Sequence, residues 1–157
     1  MRIIHVLTTA AGLASVVSAN FHIGKADKVQ LSTNPDRGGG PPLKYTRYIA
    51  CPSNYLNCKC YGGFADNSDR GVGLASGSSL SRDFSLKGGL CGTGQLDFYY
   101  RPNLGHWEFY VNGGNGDIQG TCYKNSDSLK GCGIGPHTVL ETNYSDQLVC
   151  YSYICGN

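Results

Sequence analysis

The sequence is poor in charged residues, and its charges nearly balance. Charged residues make up 15% of the 157 residues, with 13 Lys and Arg against 11 Asp and Glu, so the formal net charge is +2. So small an excess gives no electrostatic basis for binding nucleic acid or an anionic membrane, and no nucleic-acid partner is expected. Disorder is excluded as well, because 40% of the residues are hydrophobic and 11% are aromatic.

Signals for helices, catalytic loops and metal sites are also scarce. No window combines a sustained 3.6-residue apolar period with caps at both ends. Gly77-Ser78-Ser79 and Gly71-Val72-Gly73 fall short of the nucleophile-elbow and phosphate-loop motifs. The cysteines lack the paired knuckles of zinc modules, so neither a metal nor a cofactor is expected.

The first residues are typical of a secretory signal peptide covering 1–19. Met1-Arg2 provides a positive start, residues 3–17 form an uncharged apolar stretch, and Val17-Ser18-Ala19 places small residues before a cleavage site. The stretch is too short and too rich in small residues for a transmembrane anchor. We therefore expect a secreted protein with residues 20–157 as a single disulfide-rich β-domain.

What the chain has in abundance is cysteine, glycine and tyrosine, with 8, 23 and 11 residues respectively. An even cysteine number in an exported chain predicts disulfides, although eight cysteines can pair in roughly a hundred ways. Neighbours as close as Cys58 and Cys60 should bond to different partners, and Cys122–Cys132 and Cys150–Cys155 are the expected local pairs. The cysteines expected to staple the N-terminal half are Cys51, Cys58, Cys60 and Cys91.

Strand formers separated by turn residues predict an all-β fold. We expect a single small antiparallel β-sandwich or β-barrel with little helix, braced by up to four disulfides. The clearest hairpin has residues 95–100 and 106–111 as its arms, joined by a turn at 101–105, and a glycine-rich turn follows at 112–117. The other predicted strands are 21–31, 43–51, 57–64, 118–123, 138–142 and 148–154.

The hairpin carries the candidate catalytic residues. His106 and Glu108 lie two apart on a strand and therefore share a face, and Arg101 lies just across the turn. With His137 as a second imidazole, these residue types match the catalytic residues of a fungal guanyl-specific ribonuclease, which needs a base, an acid and a cation at the phosphorane. Asp97 and Glu108 are the best carboxylate pair for glycan hydrolysis.

The same hairpin is rich in aromatic residues. Alternation along the strand places Trp107 and Phe109 in the core. Tyr110 with Tyr99 or Tyr100 could then form an exposed strip that stacks on sugar rings or docks a partner. This pattern indicates a binding face as an alternative to catalysis.

Asn143-Tyr144-Ser145 is an N-glycosylation sequon. If it is used, it places Asn143 in a turn at the protein surface.

The signal peptide, the size of the chain and eight cysteines scattered among Gly, Tyr and Asn resemble the small cysteine-rich proteins secreted by filamentous plant-pathogenic fungi. Within that group the chain is most similar to the hypersensitive-response-inducing elicitors of the rice blast fungus, through Asn20-Phe21-His22-Ile23 and Cys58-Lys59-Cys60. The resemblance implies a monomeric, non-enzymatic effector in the host apoplast that provokes plant defence and cell death. Its partner would be a plant cell-surface or apoplastic component. A secreted ribonuclease, or a glycan-active enzyme or lectin using the His106/Glu108 face, remains the alternative.

Overall fold

The computed structural model describes residues 19–30, 41, 43–61, 71–76, 79–126, 130–133 and 140–156, so the predicted signal peptide lies outside the described residues except for Ala19. Regular structure in these ranges is β-strand apart from two 3-10 turns, Ser53–Tyr55 and Leu90–Gly92. The strands are β1 (Ala19–Gln30), β2 (Leu43–Pro52), β3 (Val72–Ser76), β4 (Phe84–Leu86), β5 (Leu96–Arg101), β6 (His106–Val111), β7 (Gly120–Lys124), β8 (Lys130–Gly133) and β9 (Leu140–Ser152).

The strands form one antiparallel sheet that closes on itself. Strands β1 to β7 are neighbours in chain order, β7 pairs with β9, and β9 returns to pair with β1 over nearly its whole length. This closure makes an eight-stranded barrel, which confirms the all-β class and selects the barrel over the sandwich. Strand β8 pairs with the first half of β9, beyond the end of β7, and so extends the barrel wall.

The barrel interior is filled by aromatic and aliphatic side chains from alternate strand positions. Phe98 stacks on Phe109 with ring centroids 5.0 Å apart, and Phe21 meets Phe109 edge to face at 5.4 Å. All three rings are fully buried. Because successive side chains of a strand point to opposite faces, these phenylalanines direct their chain neighbours to the outer wall.

A second buried cluster lies on the outer side of the wall, over β1, β2 and β9. Tyr61 stacks on Tyr144 with centroids 4.3 Å apart, beside the buried Ala26. A Cβ added at Gly24 would lie 2.4 Å from a Tyr61 ring carbon, so glycine is needed there for the ring to approach the strand. Burial raises the pKa of the Tyr61 hydroxyl, which therefore stays protonated.

All eight cysteines are paired in four disulfides: Cys51–Cys60, Cys58–Cys132, Cys91–Cys155 and Cys122–Cys150. Cys58 and Cys60 take different partners, as expected. The predicted local pairs Cys122–Cys132 and Cys150–Cys155 are wrong, because the pairing of β7 with β9 sets Cys122 directly opposite Cys150. Cys58 and Cys91 also bond outside the N-terminal half. Three of the bridges therefore join segments that are distant in sequence.

One strand prediction is wrong because a local turn replaces it, and two others are joined into one strand by their neighbours. Residues 57–61 form a turn, in which the Asn57 side-chain oxygen accepts the backbone N–H groups of Lys59 and Cys60 at 3.0 and 3.3 Å. Residues 62–64 of that prediction lie outside the described residues. The two predicted C-terminal strands are parts of one continuous strand, β9, because both of its edges are paired.

Candidate functional site

The β5–β6 hairpin places the predicted site residues on the outer wall of the barrel. The register sets Arg101 opposite His106 and Tyr99 opposite Glu108. The connecting turn closes through Gly105, whose φ is 69° and whose N–H donates to the Arg101 carbonyl at 2.9 Å. The structure thus brings Arg101, His106 and Glu108 together on one face, as the strand spacing predicts. This face is part of the outer surface of the barrel wall.

Glu108 is held in a closed hydrogen-bonded triangle with Arg101 and Tyr110. Arg101 Nε donates to Glu108 Oε2 at 2.6 Å, and the Tyr110 hydroxyl donates to the same oxygen at 3.0 Å. Arg101 Nη2 donates to the Tyr110 hydroxyl at 3.1 Å. The Arg101 hydrogen bond lowers the pKa of the Glu108 carboxyl and raises the pKa of the guanidinium. Glu108 is therefore a stabilised carboxylate with reduced basicity.

The imidazole of His106 packs against Tyr123 on β7, with ring centroids 5.2 Å apart. Within the described part of the chain, His106 makes no hydrogen bond with Glu108. His137, the other proposed imidazole, lies outside the described residues. Of the four proposed catalytic residues, the described ones supply one imidazole, one carboxylate and one guanidinium, and the carboxylate and guanidinium are already bonded to each other.

Asp97 lies on the same outer face, on β5, and its carboxylate accepts hydrogen bonds from three side-chain donors. The donors are Ser85 Oγ at 2.6 Å, Asn112 Nδ2 at 2.7 Å and Gln95 Nε2 at 3.0 Å. Burial by itself raises the pKa of the Asp97 carboxyl, but the hydrogen bonds outweigh it and the pKa is lowered. A glycosidase acid needs a raised pKa. The predicted pair of Asp97 with Glu108 therefore does not fit that role.

The structure places two of the three predicted tyrosines on the outer face. Tyr99 and Tyr110 lie on the outer face as an edge-to-face pair with centroids 5.7 Å apart, and Tyr99 is 43% exposed. Tyr100 belongs to the opposite face, because alternation turns it toward the interior. There it packs on the buried Trp107 with centroids 4.7 Å apart. Tyr100 is thus removed from the candidate binding face.

Tyr123 and Tyr151, neither of which was predicted to belong to a site, extend the aromatic surface onto β7 and β9. Their rings meet edge to face at 6.0 Å, and Tyr123 is 42% exposed. Each lies next to a fully buried cysteine, Cys122 or Cys150. An inward cysteine forces its strand neighbour outward, and this signal could have identified both residues.

A shallow depression of about 560 Å³ lies between the hairpin face and the loop at 112–116. Its lining consists of Asp97, Tyr99, Arg101, Tyr110, Val111, Asn112, Gly113, Gly114 and Gly116. Gly113 and Gly116 have positive φ values of 71° and 87°, which glycine adopts without strain. The loop wall of the depression is therefore mostly free of side chains.

A half-buried polar cluster on β1 and β9 also went unpredicted. His22 Nδ1 lies 2.5 Å from Asp146 Oδ2, and Asn125 Nδ2 donates to the same oxygen at 2.8 Å. Asp146 Oδ1 is buried and has no hydrogen-bond partner among the described residues. A register shift between β1 and β9 next to Asp146 accompanies this arrangement.

Asn143 lies within β9, opposite Asp27 on β1 and Gly131 on β8. The turn expected at its sequon is therefore wrong, because pairing on both sides keeps this segment extended.

The described residues contain no group of three or more His, Cys, Asp or Glu side chains placed to hold a metal ion. In the same residues, no helix has the length and apolar character needed to cross a membrane.

Comparison of the chain with models of known protein families, with curated proteins and with solved structures finds no match.

Proposed function

We propose that this chain is a secreted, non-enzymatic elicitor that plants perceive as a folded β-barrel in the apoplast, with hypersensitive cell death and induced defence as the response. One observation carries the proposal: four disulfides cross-link a barrel that has exposed tyrosines on its outer surface. Disulfides of this density in a small chain are compatible with an extracellular protein. The resemblance to fungal elicitors of the hypersensitive response supports the same role.

The chemistry of the hairpin face favours recognition over catalysis. A general base must hold a proton well enough to remove it from the substrate, yet the hydrogen bonds from Arg101 and Tyr110 lower the pKa of the Glu108 carboxyl and with it its basicity. A general acid must hold its proton near neutral pH, yet the pKa values of Asp97 and Glu108 are both lowered. These groups order the surface, which suits a shape that a host component recognises.

Infiltration of purified residues 20–157 into leaves tests the proposal. We expect local cell death, an oxidative burst and defence-gene induction at micromolar dose. The matched variant Glu108→Ala, assayed in parallel for hydrolysis of RNA and cell-wall glycans, separates recognition from catalysis. No response to the wild-type protein would contradict the elicitor role. Hydrolysis that Glu108→Ala abolishes would contradict the non-enzymatic role.

A further inference from the structure

We infer that the depression between the hairpin face and the 112–116 loop is a binding site for a neutral oligosaccharide. Its volume of about 560 Å³ falls within the roughly 300–1,000 Å³ range of small-molecule sites. The inference goes beyond the proposed elicitor role, because binding can be measured on the isolated protein whether or not the protein provokes a plant response.

Tyr99 supplies the stacking surface of this site. A pyranose ring has an apolar face of C–H groups, which the negative face of an aromatic ring attracts, and a polar edge of hydroxyls. Tyr99 is 43% exposed and contacts the Tyr110 ring edge to face, so its ring is supported from one side while much of it remains open. Tyr110 is itself fixed through its hydroxyl by Glu108 and Arg101.

Asp97 and Asn112 supply polar atoms for sugar hydroxyls beside that ring. The Asn112 amide group donates to Asp97 Oδ2 at 2.7 Å, which directs both side chains into one fixed arrangement. A carboxylate can accept about four hydrogen bonds, and Asp97 accepts three within the described residues. A site whose polar groups are already ordered loses little conformational entropy when a ligand binds.

The charges in and beside the depression disfavour an anionic ligand. Arg101 forms an ion pair with Glu108 at 2.6 Å, so its charge is compensated. Asp97 and Arg101 give the lining no net charge, and Glu108 beside it adds one negative charge, so the depression offers no unpaired cation to carboxylate, sulfate or phosphate groups. The backbone of Gly113, Gly114 and Gly116 forms the facing wall without side chains that would fill the space.

Calorimetric titration with neutral hexasaccharides of chitin and of β-glucan tests the inference, with oligogalacturonide as the anionic probe. We expect millimolar or tighter binding of at least one neutral probe, and the arm that binds distinguishes an N-acetylglucosamine source from a glucose source. Tyr99→Ala should weaken binding about tenfold, whereas Tyr99→Trp should retain it. Tyr123→Ala, which removes an equally exposed tyrosine outside the depression, should stay within about twofold of wild type.

Several outcomes would overturn the site. These are no binding of either neutral probe, preferential binding of oligogalacturonide, or equal binding by wild type and Tyr99→Ala. An equal loss in Tyr123→Ala would place the ligand elsewhere on the wall. The fluorescence of the buried Trp107 reports whether each variant is folded. Binding without any leaf response would contradict the elicitor role alone and leave the site intact.

Discussion

Arg101 Nε lies 2.6 Å from Glu108 Oε2, across the two strands of the exposed hairpin. The contact joins two of the residues that the sequence offers as catalytic groups, and it satisfies each with the other. Tyr110 completes the arrangement by bonding to both. These bonds order the hairpin face, which supports the proposal that this face is recognised by a host component.

Neither the wild-type protein nor Glu108→Gln should hydrolyse RNA or glycans, because the carboxylate serves to hold Arg101 and Tyr110. An exposed ion pair contributes little to folding, so the melting temperature should change only slightly. Gel assays of RNA and reducing-sugar assays of glycans measure the first expectation, and calorimetry the second. Substrate turnover by wild type that disappears in Glu108→Gln would restore the catalytic interpretation.

The Cys58–Cys132 bridge should stabilise the fold more than Cys51–Cys60 does, although both fix the same outer cluster. Their partners are 74 and 9 residues apart. The loss of chain entropy on cross-linking predicts about 4.5 kcal/mol for the long loop and about 2.5 kcal/mol for the short one. Denaturant unfolding of Cys58→Ser/Cys132→Ser and of Cys51→Ser/Cys60→Ser provides the comparison. A larger loss in the second pair would show that local packing outweighs loop length.

Mild reduction should open Cys91–Cys155 before the other bridges. Cys91 is exposed, whereas both sulfurs of Cys122–Cys150 are fully buried. Thiol exchange requires the attacking thiolate to reach a sulfur, so exposure sets the order. Limited reduction followed by alkylation and peptide mass spectrometry should find label first at Cys91 and Cys155. First labelling at Cys122 and Cys150 would be incompatible with this order.

Acid should destabilise the barrel partly through Asp97. The pKa of its carboxyl is lower in the folded protein than in the unfolded chain, where it is near 3.9. The ionised carboxylate therefore stabilises the fold at pH values above the unfolded pKa. This stabilisation is lost as the pH falls through the folded pKa. The free energy of unfolding should therefore fall more steeply for wild type than for Asp97→Asn between about pH 5 and pH 2. Asp117→Asn, in the exposed 112–117 turn, is the control and should follow wild type. Parallel curves for wild type and Asp97→Asn would refute this role.

Local patterns in the sequence were sufficient to predict the hairpin and the outward position of its polar residues. Apolar and polar side chains alternate along residues 95–111, which also contain a compact turn. The pairing of the two arms, and the face on which each side chain lies, can therefore be predicted without tertiary information. The same alternation separates Phe98 and Phe109, which are buried, from Tyr99 and Tyr110. The face of Tyr100 followed from the same rule once its pairing with Trp107 was known.

Contacts between distant parts of the chain could not be predicted in this way. Barrel closure depends on β1 pairing with β9, and the Cys122–Cys150 bridge depends on β7 pairing with β9. Strands β3, β4 and β8 are short or rich in small residues, and their neighbours rather than their own composition keep them extended. Asn143-Tyr144-Ser145 has turn-forming residues, yet pairing on both edges overrides that preference.

The most direct test of the elicitor proposal compares two forms of one protein in leaves at the same micromolar dose. One form keeps its four disulfides, and the other is fully reduced and alkylated so that the barrel cannot form. The account predicts cell death and defence induction from the disulfide-bonded form and none from the alkylated form. Equal responses to both would show that a linear peptide is recognised, and would contradict recognition of a folded surface.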